Sequence, residues 1–250
     1  LDGVTGVQTC ALPISYLWEY TIIPDGFKGK AFSGPHSEAK LMAYLAPGNI
    51  YAERGTVSFF WRSRDPVGKM PFKIFYVSAC DQASLDMTWL RVDYNGGGFE
   101  GFVTDANMAR IRTAYNPPSF PSPDEWTHIA LAWDETKGVR LFVNGALAAH
   151  KDTTVIFSSG LGLFNPHGRF ASPGTVTSNC GHLRGGDIDE IAIYDRMLDE
   201  EQVKRLARGE SAGNMGPLVR SLDDPRFRNE WLLRNGWNDP NHIPPYLDET

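Results

Sequence analysis

Short runs of alternating hydrophobic and polar residues follow one another through the middle of the chain. This period of two is typical of β-strands that bury one face. In GTVSFFWRS, for example, Val57, Phe59 and Trp61 share one face of the predicted strand. The predicted strands lie within residues 55–65, 72–78, 88–95, 128–133, 139–143 and 146–150, and near residues 158–164 and 187–194.

Turn sequences separate these runs. Gly96–Gly98 follows one predicted strand, and the segment ETKG at residues 135–138 follows another. Asn144-Gly145 favours a tight hairpin because both residues tolerate positive φ. Since no helical pattern lies between the strands, the sequence predicts an all-β fold, an antiparallel two-sheet sandwich of the jelly-roll type.

The alternation also predicts which side chains form the core. One set of alternating residues is expected between the two sheets, whereas His128 and Arg140, at the intervening positions, are expected to lie outside the core. The expected core residues are Val57, Phe59, Trp61, Ile129, Leu131, Trp133, Leu141 and Val143.

A helix is predicted only after the strands, in LDEEQVKRLARGE at residues 198–210. Asp199 is placed to cap this helix, and Gly209 is placed to end it. Residues 211–250 are predicted to be a linker and the start of a following segment that contains one short helix. The domain is thus expected to be a sandwich with a C-terminal helical appendage.

The first residues of the chain have neither a helical nor a strand period. The stretch VTGVQTCALPIS, within residues 1–15, is identified as a direct translation of a sequencing-library adapter. These fifteen residues are therefore expected to be a non-native scar on a metagenomic fragment, and they are excluded from the prediction of the fold.

Composition limits the classes of partner. The formal net charge of −6 argues against nucleic acid as the ligand, and no apolar run approaches the length of a membrane span. Outside the predicted scar the chain carries two cysteines, Cys80 and Cys180. They are interpreted either as two free thiols or as one disulfide of an exported protein.

Three blocks in a fixed order carry a resemblance to a known family. They are GTVSFFWRS, EWTHIALAWDETKGVRLFVNGALAA and GGDIDEIAIYDRMLDEEQVKRLARGE, with a weaker block, GKAFSG, upstream. In this order they resemble the laminin-G-like domains of the concanavalin A-like lectin/glucanase superfamily. The resemblance implies a jelly roll of two antiparallel sheets, one of them concave, over residues 16–210.

The acidic residues of the last block suggest two kinds of site. Glucanases of this superfamily carry two Glu with an Asp between them on one strand, but here Ile191 and Ala192 stand where the second catalytic carboxylate is needed. Laminin-G-like relatives often hold a structural Ca²⁺ near this strand, which implies Asp189 as a metal ligand and Asp187 as a second one. The alternative is that Asp189 accepts hydrogen bonds from loop amides and holds no metal.

Aromatic residues suggest a binding surface, because sugars are held by flat aromatic faces together with polar groups. Trp89, Tyr94, Phe99 and Tyr115 lie in or near two predicted loops and are the predicted ligand-binding residues. The alternative is that these rings cover a face of the sandwich and bind nothing.

The function that these observations favour is recognition without catalysis. The domain is expected to bind carbohydrate or protein within a larger exported protein, in the extracellular space or the periplasm, beside neighbouring domains of the same polypeptide. One alternative is a structural accessory domain packed against a catalytic domain, and another is a degenerate glycoside hydrolase or lyase. No catalytic residue is assigned.

Overall fold

A computed structural model describes residues 14–18, 21–34, 41–45, 53–63, 72–78, 88–105, 107, 109–119, 121–157, 170–173 and 186–215. In this part of the chain fourteen strands form two antiparallel sheets of seven strands each. The strands are β1 (Ile14–Trp18), β2 (Thr21–Ile23), β3 (Ala31–Gly34), β4 (Leu41–Leu45), β5 (Arg54–Ser63), β6 (Phe72–Ser78), β7 (Thr88–Tyr94), β8 (Phe99–Thr104), β9 (Arg110–Tyr115), β10 (Thr127–Asp134), β11 (Gly138–Val143), β12 (Ala146–Lys151), β13 (Phe170–Pro173) and β14 (Gly186–Tyr194).

The two sheets face each other as a sandwich, which confirms the predicted jelly-roll class. The front sheet has the strand order β1-β4-β13-β6-β7-β8-β9, and the back sheet has the order β12-β11-β10-β5-β14-β3-β2. Because some neighbours in each sheet, such as β5 and β14, are distant in sequence, the core brings together segments from most of the chain. The central back-sheet strand β5 pairs with β10 on one side and with β14 on the other.

The predicted phase of the core is confirmed. Seven of the eight expected core residues are buried between the sheets, and the eighth, Val143, is partly buried against them. Trp133 is fully buried opposite Gly55, where a Cβ atom would lie 2.3 Å from the indole Cζ2. Glycine at this position is therefore what allows the largest core side chain to pack across the strand pair.

His128 lies outside the core between the sheets, as predicted, but it is nevertheless buried. His128 is on the outer face of the back sheet, as the alternation requires, but it is only 1 % exposed. The loop before β3 covers this face, since the ring of Phe27 stacks on that of Phe60 with centroids 3.6 Å apart, and Phe60 lies against His128. Arg140, the other residue expected outside, is half-buried.

A helical layer covers the rest of that outer face. Helix α1 (Glu200–Ala207) has the predicted Asp199 cap, in which the side chain accepts a hydrogen bond from the amide of Gln202. A 3₁₀ helix, Ala212–Met215, follows inside the predicted linker. Its two terminal residues are buried, and the carbonyl of Ala212 accepts a hydrogen bond from the Tyr194 hydroxyl. These first linker residues therefore pack on the sandwich.

The structure adds seven strands that the alternation argument passed over: β1, β2, β3, β4, β8, β9 and β13. Of these, β8 and β9 are neighbours at one edge of the front sheet. Other predictions fall on residues outside the described ranges. They are residues 1–13 of the predicted scar, both cysteines, the strand near 158–164 and the helix after Asp223.

Candidate functional site

The predicted metal ligands, Asp187 and Asp189, lie in β14. Asp187 forms an ion pair. Its Oδ2 accepts a hydrogen bond from Arg62 Nε at 2.6 Å, and both side chains are buried. The same guanidinium donates through Nη2 to the carbonyl and the carboxylate of Asp25. Arg62 thus ties the loop before β3 to the last strand, and its positive charge is paired with the negative charge of Asp187.

Asp189 is fully buried, and backbone amides contact both of its carboxylate oxygens. The amide of Lys28 donates to Oδ2 at 2.9 Å, and the amide of Glu190 donates to Oδ1 at 2.8 Å. Burial raises the pKa of Asp189 to about 6, although these amide hydrogen bonds oppose the shift. Glu190 sits in a β-bulge at a φ of 49° and forms an ion pair with Lys28.

This arrangement does not fit a calcium site. Asp187 is matched to a guanidinium and Asp189 to loop amides, so neither carboxylate presents a free pair of oxygens, whereas Ca²⁺ requires six to eight oxygen ligands. Among the residues that the structure describes, no three acidic, histidine or cysteine side chains are grouped to hold a metal ion. These contacts match the alternative interpretation, in which Asp189 accepts hydrogen bonds from loop amides. A metal titration, rather than these contacts, decides whether calcium binds.

The predicted aromatic residues do not come together on a surface. Tyr94 and Phe99 are opposite each other in β7 and β8, at most 1 % exposed, with ring centroids 6.5 Å apart inside the core. Tyr115 is half-buried and packs against the same core. As placed, the rings of Tyr94 and Phe99 offer no face to a ligand, and the side chain of Trp89 lies outside the described residues.

A different set of polar residues lines the outer face of the front sheet at β7, β8 and β9. Arg91, Phe102 and Arg112 are directly opposite one another across these three strands. The guanidinium carbons of Arg91, Arg110 and Arg112 lie 5.2, 5.1 and 5.3 Å from the centroid of the Phe102 ring. This group, the arginine cluster, brings three cations to one aromatic ring on the side of the sheet that faces away from the core.

Two carboxylates accompany the arginine cluster. Arg91 donates through both Nε and Nη2 to a single oxygen of Asp93, Oδ2, and Arg112 donates to Glu100 at 2.8 Å. Asp93 and Glu100 are themselves opposite each other in β7 and β8. Burial raises the pKa of Asp93 to about 6, against the lowering effect of the Arg91 charge.

The ion pair of Arg91 and Asp93 leaves two buried atoms without hydrogen-bond partners among the residues that the structure describes. They are Arg91 Nη1, a donor, and Asp93 Oδ1, an acceptor, on side chains that are about nine-tenths buried. Buried polar atoms are rarely left unsatisfied, and each one costs about 1–3 kcal/mol. The pair therefore has one donor and one acceptor that a further hydrogen-bonding group would satisfy.

Phe102, Arg110 and Arg112 were missed because β8 and β9 were not predicted, whereas Arg91 and Asp93 lie in a predicted strand and were passed over. The signal is nevertheless in the sequence: in FEGFVT, Phe99 and Val103 alternate with Glu100 and Phe102, and RIRTAY places arginines on every second residue. The alternation would have placed the arginines on one outward face.

A buried serine–histidine contact lies on the back sheet. Ser58 Oγ and His128 Nε2 are 2.9 Å apart, and burial lowers the pKa of His128 to about 3. No carboxylate contacts the other ring nitrogen, Nδ1, which has no partner in the described structure. Since both residues are covered by the loop before β3, the contact has neither the third member nor the access of a nucleophilic site.

Comparison with known families supports the fold and its class. A laminin G family model, of the concanavalin A-like lectin/glucanases superfamily, matches residues 42–204, well over half of the chain. The chain belongs to this superfamily. The matched residues include the arginine cluster and β14, and they end inside helix α1.

Solved structures with a similar fold include receptor binding domains of botulinum neurotoxins. The receptor binding domain of botulinum neurotoxin D is similar with a TM-score of 0.58 and 13 % identity, over 78 % of this chain and 47 % of that one. The botulinum neurotoxin type G receptor binding domain has a TM-score of 0.55 at 12 % identity, over 77 % of this chain and 45 % of that one. A third structure is the botulinum neurotoxin serotype D ligand binding domain in complex with N-acetylneuraminic acid. It has a TM-score of 0.58 at 12 % identity, over 78 % of this chain and 45 % of that one.

These likenesses establish a shared fold, and this chain spans less than half of the length of each of those domains. No curated protein matched the sequence. Within the described residues, no helix has both the length and the apolar character needed to cross a membrane.

Proposed function

We propose that this superfamily member is a non-catalytic recognition module that binds carbohydrate on the outer face of its front sheet. The observation that carries the proposal is the buried pair of Arg91 Nη1 and Asp93 Oδ1, one donor and one acceptor without a partner in the described part of the chain. The proposal moves the binding face from the predicted aromatic residues to the arginine cluster.

A sugar hydroxyl fits this pair of atoms. It accepts a hydrogen bond from Nη1 with its oxygen and donates its hydrogen to Oδ1, so that both buried atoms are satisfied at once. A carboxylate in the same position satisfies Nη1 but is repelled by the negative charge of Asp93. An ammonium in that position is repelled by the guanidinium of Arg91. A hydrogen bond to a charged group contributes about 1.5–3 kcal/mol, so the pair supplies specificity for a hydroxyl in a water-excluded position.

The carboxylates of this face favour binding over hydrolysis. A glycosidase needs one carboxylic acid and one carboxylate free to act on the glycosidic bond. Here Asp93 is engaged by Arg91 and Glu100 by Arg112, so each negative charge is held by a guanidinium. The carboxylates of β14 are also engaged, by Arg62 and by loop amides. We therefore assign no catalytic residue.

The comparisons support two further parts of the proposal. The similar solved structures are receptor binding or ligand binding domains, and one of them was solved with a sugar, N-acetylneuraminic acid. Recognition of such ligands suits a domain that works outside the cell or in the periplasm, attached to neighbouring domains. A structural accessory domain remains the alternative, and it predicts that no saccharide binds at the arginine cluster.

A glycan array followed by titration calorimetry tests the proposal. The wild-type chain is expected to bind a set of saccharides, and Asp93→Asn is expected to weaken binding about tenfold to a hundredfold, the equivalent of one charged hydrogen bond. Arg208→Met is the control, because Arg208 follows helix α1 on the opposite side of the sandwich.

A second variant distinguishes a loss of saccharide binding from a loss of folding. The double substitution Arg91→Met with Asp93→Leu replaces the ion pair with apolar groups, which is often neutral or stabilising for a buried pair. The double variant should keep its cooperative unfolding transition and lose saccharide binding. Saccharide binding that survives in this folded variant, or a wild-type chain that binds no saccharide, contradicts the proposal.

A further inference from the structure

We infer that Trp126 and Arg62 form a second recognition site, on the outer face of the back sheet, which binds a proline-rich segment in the polyproline II conformation. The arginine cluster lies on the other sheet, so this inference goes beyond the proposed function and does not rest on it. Three observations carry it: a stacked but partly exposed indole, two open hydrogen-bond donors beside it, and an ordered loop that holds it.

Trp126 presents a flat ring at one end of the back sheet. It immediately precedes β10, whose first residue, Thr127, is opposite Trp61 in β5. The guanidinium carbon of Arg62 lies 4.4 Å from the centroid of the Trp126 ring. The guanidinium covers one face of the indole, yet Trp126 is still partly exposed. The opposite face of the ring is therefore the one that can receive an apolar partner.

Arg62 is a fixed support for this ring. Its side chain is only 5 % exposed, and its Nε donates to Asp187 at 2.6 Å. Its Nη2 donates to the carbonyl and to the carboxylate of Asp25, at 2.6 and 2.9 Å. Because the guanidinium is planar and is held at two of its nitrogens, its orientation is set, and so is the orientation of the indole stacked on it.

Two hydrogen-bond donors are open at this ring. Within the described structure the hydrogen bonds of Arg62 use Nε and Nη2, and its Nη1 is not among the buried atoms that lack a partner. Trp126 Nε1 likewise has no hydrogen bond to a described residue and is not among those buried atoms. Both groups can only donate. The site therefore combines a flat apolar surface with donors, and it favours a ligand that supplies acceptors.

A proline-rich segment has this chemistry. Proline has no N–H group, so such a segment offers apolar rings and carbonyl acceptors and brings few donors that need a partner. Its polyproline II conformation is formed before binding, which is why aromatic surfaces recognise it at low entropic cost.

Other ligand classes fit the site less well. Each hydroxyl of a saccharide brings a donor as well as an acceptor. An anion brings acceptors, but the charge of Arg62 is already matched by Asp187, and the carboxylate of Asp25 at the same guanidinium repels a further negative charge.

The loop that carries Trp126 is ordered by its own hydrogen bonds. The amide of Asp124, at a φ of 69°, donates to the carbonyl of Ser63 at 2.8 Å. The amide of Glu125 donates to the carbonyl of Ser122 at 3.0 Å, and the amide of Ser122 donates to the Glu125 side chain at 3.1 Å. A site that is already ordered loses less conformational entropy when it binds, so these contacts favour recognition by Trp126.

Titration calorimetry with synthetic peptides tests the inference. The probes are decaproline, three decapeptides with Pro-x-x-Pro repeats in which x is Ala, Gln or Arg, and for each of the four a counterpart with every proline replaced by alanine. At least one proline-rich peptide is expected to bind tenfold or more tightly than its counterpart. Equal binding by the counterparts, or no binding by any proline-rich peptide, overturns the inference.

Two variants assign the binding to the indole. Trp126→Phe keeps a flat ring and removes the Nε1 donor, so it should weaken peptide binding about threefold to tenfold, the equivalent of one hydrogen bond. Trp126→Ala should abolish the binding. The control is Ile156→Ala, which truncates an apolar side chain that is 71 % exposed, next to Val155, whose amide donates to Glu135 at the other end of β10.

Urea unfolding establishes that each variant is folded, and Trp126→Phe decides the question if Trp126→Ala does not fold. Peptide binding with wild-type affinity in either folded variant overturns the inference, as does an equal loss of affinity in Ile156→Ala.

The outcomes separate this inference from the proposed function. The double variant Arg91→Met with Asp93→Leu should keep peptide binding, and Trp126→Ala should keep saccharide binding. If a proline-rich peptide binds and no saccharide does, the carbohydrate proposal is wrong and this inference stands. If no proline-rich peptide binds and Trp126→Ala abolishes saccharide binding, Trp126 belongs to a saccharide site and this inference is wrong.

Discussion

His128 makes the stability of this domain sensitive to acid, and the variant His128→Gln isolates the effect. The imidazole is 1 % exposed, lies beneath Phe60 and contacts Ser58 through Nε2. Burial lowers the pKa of His128 from 6.5 to about 3, since the charged ring is poorly solvated at this position. In the unfolded chain the same imidazole titrates normally.

The sign and size of the effect follow from proton linkage. Between pH 6.5 and about 3 the unfolded chain binds a proton at His128 that the folded chain does not bind, so the free energy of unfolding falls as the pH falls. The loss approaches about 1.4 kcal/mol for each pH unit. Between pH 7 and pH 5 the contribution of His128 amounts to about 2 kcal/mol of lost stability.

Two buried carboxyl groups shift in the opposite direction. The pKa values of Asp93 and Asp189 are each raised to about 6, so the stability that they contribute is fully present at low pH and is lost as the pH rises through 6. Asp189 in β14 and His128 in β10 lie on either side of Phe60 in β5, on the same face of the back sheet. The wild-type profile alone therefore cannot report on His128, and the difference from a variant is required.

Urea unfolding of the wild type and His128→Gln at pH 7 and pH 5 measures this difference. Loss of the Ser58 contact shifts the variant by the same amount at both pH values and cancels when the two pH values are compared. The wild type is expected to lose about 2 kcal/mol more than the variant on acidification. Parallel profiles for the two proteins would refute the burial argument for this histidine.

Two further predictions concern the core and the carboxylates of β14. Trp133→Ala should destabilise the domain by roughly 3–5 kcal/mol in the same urea assay, because it removes the largest side chain of a fully buried core, and a loss below about 1 kcal/mol would contradict the packing. EDTA and added Ca²⁺ should leave the melting temperature unchanged, since Asp189 is held by amides; stabilisation by about 2.7 kcal/mol at a hundredfold excess over the Kd, lost in Asp189→Asn, would show a calcium site instead.

The sequence predicted those parts of the fold that depend on local pattern. The alternation around Trp133 identified the core face, and Asn144-Gly145 identified the hairpin between β11 and β12, where both residues have positive φ. The cap at Asp199 was likewise predicted from its neighbours along the chain. Each of these features is determined within one or two adjacent strands or turns.

The remaining features depend on contacts between distant segments. His128 is buried because Phe27, about a hundred residues earlier, covers its side of the back sheet through Phe60. Tyr94 and Phe99 flank a turn, and proximity to a loop does not reveal that both rings point into the core. The arginine cluster needs the register of β7, β8 and β9, which the sequence does not supply.

Calorimetric titration of the wild type and of Arg91→Met with Asp93→Leu, using the saccharides selected on the array, tests the central claim most directly. The account predicts saturable binding to the wild type and none to the folded double variant, with no hydrolysis product after prolonged incubation. Equal binding by both proteins would place the site elsewhere on the sandwich, and release of shorter saccharides would show that the domain is an enzyme.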